Sequence, residues 1–112
     1  MPNSPQLILV TGATGYIASR LIPQLLNRGY QIRALARQPQ RLKNKSWFPQ
    51  VEVIQGDVME PPTLTPAFEG VQIAYYLIHN MASGHGYTER ELEGARNFAL
   101  VAEAAGVQHI IY

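Results

Sequence analysis

The chain contains no cysteine. Disulfides, thiolate nucleophiles and zinc–thiolate centres are therefore excluded, and the absence points to the cytoplasm. No apolar run approaches the ~20 residues of a membrane-spanning helix. Met1 to Pro5 lacks the basic and apolar parts of a signal peptide and reads as a short tail. The formal net charge is +1, too small to attract nucleic acid by itself, so no nucleic-acid partner is expected. Some charged types are scarce. Asp57 is the only aspartate, Lys43 and Lys45 are the only lysines, and no acid lies between Gln31 and Gln50. What remains is ordinary for a globular protein: 112 residues, 46% of them hydrophobic, enough for one domain around one core.

The apolar run Leu7–Val10 suits a strand buried on both faces, as in a parallel sheet. Behind it Ala18, Leu21, Ile22 and Leu25 form one helical stripe that ends at Arg28-Gly29. Pro23 lies inside this helix, which continues because the stripe continues past it, and a kink is expected there. Further strands are expected at residues 31–36, 51–55, 71–78 and from His109 to Tyr112. Between them, Gln38 to Lys45 has room for one helical turn. Three prolines, Pro61, Pro62 and Pro66, permit only a short helix around Thr63 to Phe68. After the loop HNMASGHG, Thr88 and Glu91 form a capping-box pattern. The helix behind it carries Leu92, Ala95, Ala99 and Ala102 on one face, with Phe98 at its flank and Gly106 after its end. Alternating strands and helices imply right-handed crossovers in an α/β, Rossmann-type, doubly wound parallel sheet with strand order 3-2-1-4-5.

Gly12, Gly15 and Ala18 follow the first strand in a G-x-x-G-x-x-A pattern. A strand that turns sharply into a helix, with its backbone close to a pyrophosphate, needs residues without side chains that tolerate positive φ. Free N–H groups at the helix start then face the phosphate, with the helix dipole behind them. The Thr14 hydroxyl and the N–H groups of Tyr16 and Ile17 are the natural ligands. Where NAD-specific proteins carry an acid at the end of the second strand, this chain has Arg37, which can pair with a 2′-phosphate. Arg33 and Arg41 read as a solvated basic edge. Asp57 follows the third strand on the ligand edge, placed to accept a bond from an adenine amino group or, alternatively, to cap its own turn. His79 and Asn80 end the fourth strand, where they either approach the ribose and nicotinamide or bond the local backbone. His85 and His109 read as structural, and Trp47 and Phe48 as packing under a loop.

The blocks LVTGATGYIASRL, IRALAR, VIQGDV, YYLIHNM and GARNFALVAEAAGVQHIIY together resemble the short-chain dehydrogenase/reductase superfamily over nearly the whole chain. The likeness is to its atypical or extended side, the nitrogen-metabolite-repressor-like and epimerase-like branch. The resemblance implies that Gly12, Thr14, Gly15, Tyr16 and Ile17 bind pyrophosphate. It implies that Arg37 reads the adenosine ribose, that Asp57 and Val58 hold adenine, and that Leu77 to His79 run along the cofactor. One departure is clear. The superfamily's catalytic Tyr-x-x-x-Lys has no match here: four residues after Tyr16, Tyr30, Tyr75, Tyr76 and Tyr87 stand Arg20, Ala34, His79, Asn80 and Glu91. No catalytic residue and no metal ligand is therefore assigned.

The expectation is a single NAD(P)-binding Rossmann domain over residues 1–112, truncated after the fifth strand and forming the N-terminal part of a longer oxidoreductase or epimerase. Its cofactor is expected to be NADP(H) in preference to NAD(H), its substrate an unidentified small molecule, and its fifth strand a route to self-association. The alternatives are a non-catalytic redox sensor or assembly factor that works through a protein partner, and an interaction module without nucleotide.

Overall fold

The computed structural model describes residues 6–13, 15–78 and 89–112. Five strands form one sheet: β1 (Leu7–Thr11), β2 (Gln31–Ala36), β3 (Glu52–Gln55), β4 (Ile73–Tyr76) and β5 (His109–Ile111). Their order is β3-β2-β1-β4-β5, and every pairing is parallel. The chain winds outward from β1 to β3, then returns to lay β4 on the other side of β1. The order therefore reverses beside β1, which makes a crevice at the carboxyl ends of β1 and β4.

The burial pattern explains the sheet. Ile8 and Val10 face one layer of the core, with Ile32, Ala34 and Ala36 of β2 beside them, while Leu9 faces the other with Leu35 and Ala74. A strand apolar on both faces must be covered on both, and it is. One layer is closed by helix α1 (Tyr16–Asn27) through Ala18, Ile22 and Leu25, together with Leu42 and Trp47. The opposite layer is closed by the short helix α2 (Pro61–Leu64) and by α3 (Glu89–Ala105), with Leu64, Phe68, Phe98 and Ala102 inside. Trp47 is buried as expected, and Phe48 packs beside it. Phe68 and Phe98 meet with ring centroids 4.9 Å apart, and Tyr76 stacks on Phe98 at the same distance.

Several sequence expectations are corrected. Helix α1 runs through Pro23, as the continuing stripe implied, and Pro23 lies on its exposed face. The helix in the proline-rich stretch is short, as expected, but it starts at Pro61 rather than near Thr63, because the first helical positions have no N–H partner to lose. Single 3-10 turns form at Pro39–Leu42, Phe48–Gln50 and Pro66–Phe68. The buried stripe of α3 is Gly94, Phe98 and Ala102, so Phe98 is its centre and Leu92 is exposed. The fourth strand is shorter than its apolar run, four residues rather than eight. Arg33 is not a solvated edge. Its side chain is 11% exposed and pairs with Glu52 Oε1 at 2.9 Å. Its Nη1 donates to the carbonyls of Ala67 and Glu69, which stitches β2 to β3 and to the turn before β4. The capping-box residue Thr88 lies outside the described residues.

Candidate nucleotide site

All five strands point the same way, so their carboxyl ends share one edge, and the residues that follow them collect there. Gly12 follows β1. Its φ is +93°, a region that a side chain strongly disfavours. It is also crowded: a Cβ at this position would stand 2.7 Å from the Leu77 carbonyl carbon and 2.9 Å from the Ile78 nitrogen. The turn is thus wedged against the exit of β4, where Leu77 N–H donates to Thr11 O at 2.8 Å. Gly15 closes the turn by donating to Gly12 O at 3.0 Å, and it stands at the N-cap of α1 in extended conformation.

The start of α1 is bare. No side chain caps it and no acid occupies its first turn. Its first backbone bond is Ser19 N–H to Gly15 O at 3.1 Å, which leaves the N–H groups of Tyr16 and Ile17 without an intrahelical acceptor. Tyr16 and Ile17 are 73% and 61% exposed. A helix terminus of this kind carries partial positive charge aimed outward, and its complement is an anion. Ala18, fully buried, lets the helix lie on the sheet.

The N-terminal half of the chain is basic. Residues 1–51 contain no acid at all. Arg37, just past β2, is exposed and has no ion pair among the described residues. Arg41 is exposed, as expected, and lines with Lys43 and Lys45 an open hollow of about 530 Å³. Two positively charged neighbours escaped the sequence reading. Arg20 donates to the Tyr16 hydroxyl at 2.7 Å and lies over its ring, 5.4 Å from the centroid. The i, i+4 spacing of the pair was the available signal. The Lys45 ammonium reaches Ser19 Oγ at 3.2 Å from a distant loop, a contact without local signal.

Asp57 follows β3. Its Oδ1 accepts the Met59 N–H at 2.9 Å, so the turn-capping role is realised. Its own N–H donates to Thr63 Oγ1 at 2.9 Å. Asp57 and Val58 are half-buried at the edge. Leu77 is half-buried beside Gly12, and Ile78 is exposed. Gly12, Gly15, Tyr16, Ile17, Arg37, Asp57, Val58 and Leu77 therefore all lie along the carboxyl edge of the sheet. Thr14, His79, Asn80 and His85 lie outside the described residues. His109 is exposed on β5. Thr11, also missed from sequence, is 2% exposed, and its Oγ1 has no hydrogen-bond partner among the described residues. Among the described residues no cluster of acids and histidines suits a metal, and no helix is long and apolar enough to cross a membrane.

A family model described as NAD(P)H-binding matches residues 12–112. Cinnamoyl-CoA reductase 1 of Oryza sativa subsp. japonica is 29% identical over 96% of this chain and 33% of its own length. The photosystem II assembly factor Ycf39 of Trieres chinensis is 29% identical over 94% of this chain and 33% of its own. Among solved structures, an NADPH-dependent quinone oxidoreductase of Escherichia coli complexed with NADPH superposes with a TM-score of 0.75 and 28% identity, over 92% of this chain and 35% of that one. The chain spans about a third of the length of the curated relatives it matches.

Proposed function

The chain belongs to the NAD(P)H-binding family, and on that premise we propose that it is the cofactor domain of a short-chain-type reductase or epimerase with a preference for NADP(H). Gly12, Thr14, Gly15, Tyr16 and Ile17 receive the pyrophosphate. Arg37 pairs with the 2′-phosphate of the adenosine ribose. Asp57 and Val58 hold the adenine, and Leu77 and His79 run beside the nicotinamide half. The observation that carries this reading is the wedged turn at Gly12, followed by an uncapped, acid-free helix start. The packing of Gly12 against the β4 exit holds the turn in place, and the uncapped helix start behind it offers free N–H groups to an anion.

Bound there, the dinucleotide supplies hydride chemistry. This chain's part is to orient it and to balance its charge. The substrate and the proton-transfer groups belong, in this reading, to further parts of a longer protein, because no Tyr-x-x-x-Lys occurs within these residues. The chain alone is then expected to bind cofactor without turnover. Self-association through the β5 edge, where Ile111 and Tyr112 are exposed, belongs to the same proposal. A second reading has one observation in its favour, the likeness to an assembly factor. In it the same domain binds the dinucleotide and acts through a protein partner.

Titration calorimetry with NADPH and NADH tests the cofactor preference. Charge-assisted bonds to a phosphate contribute on the order of 1.5–3 kcal/mol each. NADPH is therefore expected to bind about ten- to a hundredfold more tightly than NADH, and Arg37→Ala to remove most of the difference. Equal affinities in the unmutated chain would reduce Arg37 to a surface residue.

A further inference from the structure

The proposed adenine seat is a loop, and loops need support if they are to read a base. The segment Gly56 to Glu60 is held from below by local bonds. Gly56 N–H donates to Ala36 O at 3.1 Å, continuing the β2–β3 ladder. Thr63 Oγ1 accepts the Asp57 N–H and donates to Glu60 O at 2.7 Å. Met59 N–H donates to Asp57 Oδ1 and Glu60 N–H to Asp57 O, both at 2.9 Å, which closes a turn around Val58. A bond to Val58 itself comes from across the fold. Asn97 of α3 donates its carboxamide Nδ2 to the Val58 carbonyl at 2.8 Å, a bond spanning 39 residues.

One turn earlier on the same helix stands Gly94, and a Cβ there would lie 2.8 Å from Val58 Cγ2 and 3.4 Å from the Tyr76 hydroxyl. Helix α3 thus presses on Val58 at two points: a missing side chain makes room for the valine, and a carboxamide grips its carbonyl. The helix is anchored by Phe98, which is fully buried between Phe68 and Tyr76. The loop consequently takes its position from a rigid, buried element as well as from its own turn.

We infer that Asn97 is a positioning residue for base recognition: through the Val58 carbonyl it sets the Asp57–Val58 segment at the height where the Asp57 carboxylate meets an adenine amino group. The inference rests on the cofactor reading above and adds to it the element that gives the adenine end its selectivity. Asn97 touches no ligand in this scheme. Without its bond the loop keeps its Asx turn but loses its register against α3, and the carboxylate no longer discriminates one base from another.

The test compares NADPH with nicotinamide hypoxanthine dinucleotide phosphate, which carries an oxygen where adenine carries the amino group. That oxygen cannot donate to Asp57. The unmutated chain is expected to prefer NADPH by about tenfold, the worth of one charge-assisted bond. Asn97→Asp keeps the shape of the side chain and replaces the donor by an acceptor facing a carbonyl. It should bring the two ligands to within about threefold of each other, mostly by weakening NADPH, while Asn97→Gln keeps a donor and restores part of the preference. Gly94→Ala, which pushes Val58 from its side-chain flank, should narrow the gap in the same direction and serves if Asn97→Asp does not fold. A purely structural role would lower both affinities by one factor and leave their ratio unchanged, and that result overturns the inference. So does an unmutated chain that binds both ligands equally. An unmutated chain that binds neither overturns the cofactor reading, and the inference with it.

Discussion

Gly12 and Gly29 make a matched pair for measuring what the nucleotide turn demands. Both adopt left-handed backbone, at φ +93° and +89°. A Cβ added at Gly29 meets nothing within 4 Å, whereas one added at Gly12 meets the Leu77 and Ile78 backbone at 2.7–2.9 Å. Gly29→Ala therefore carries conformational strain alone, about 1–2 kcal/mol. Gly12→Ala carries similar strain plus overpacking against backbone that cannot rotate away, a further ~1–3 kcal/mol. A domain of this size has roughly 5–15 kcal/mol of stability in total. The Gly12 change thus removes a large part of it and lowers Tm by roughly 10–25 °C, against about 5–10 °C for Gly29. Urea unfolding followed by the single tryptophan, Trp47, which is 3% exposed, gives both values from one probe. NADPH affinity separates the sites further. Gly29→Ala, at the far end of α1, should leave it unchanged, and Gly12→Ala should lower it more than tenfold. Equal destabilisation by the two substitutions would mean that the β4 exit yields freely and that Gly12 is not wedged.

Other consequences follow from particular contacts. Thr11→Val replaces a buried hydroxyl without a partner among the described residues. It should be neutral or stabilising in urea titrations, and a loss above about 1 kcal/mol would reveal a partner for that hydroxyl. Arg33→Met removes the ion pair with Glu52 and leaves the Ala67 and Glu69 carbonyls short of a donor. A cost of about 1–3 kcal/mol is expected, and a cost near zero would show that water replaces the guanidinium. Phe98→Ala empties the centre of the α3 layer and should cost about 3–5 kcal/mol, read as a fall in Tm. NADPH affinity should fall several-fold between low salt and about 0.5 M, more steeply than NADH affinity, because the extra phosphate meets exposed cations. Parallel salt slopes for the two would place the 2′-phosphate away from Arg37.

The strand order was legible because β1 is apolar on both faces and the glycine turn leaves from its end. Such a strand has to sit centrally, with helices above and below. The α1 stripe was legible for the same reason: Ala18, Ile22 and Leu25 recur at helical spacing. The α3 face was misjudged because its buried stripe includes Gly94, which carries no hydrophobic signal and is explained only by the nearness of Val58. Arg33 was misjudged because its charge is satisfied by Glu52 and by carbonyls more than thirty residues away, and periodicity is blind to such bonds. The same holds for Lys45 on Ser19 and Asn97 on Val58. Local pattern placed the residues at the sheet edge. Long-range polar contacts, which tie that edge together, depend on the tertiary fold.

The central claim is that this chain holds a dinucleotide with its pyrophosphate on the turn after β1. Titrating NADPH into isotopically labelled chain, with backbone amide shifts recorded residue by residue, tests it most directly. Saturable binding is expected, with the largest shifts at Gly12, Ala13, Gly15, Tyr16 and Ile17, followed by Arg37, Asp57 and Val58. Saturable binding whose shifts centre on the basic hollow at Gln40–Lys45 while the turn stays silent would contradict it, as would no saturable binding.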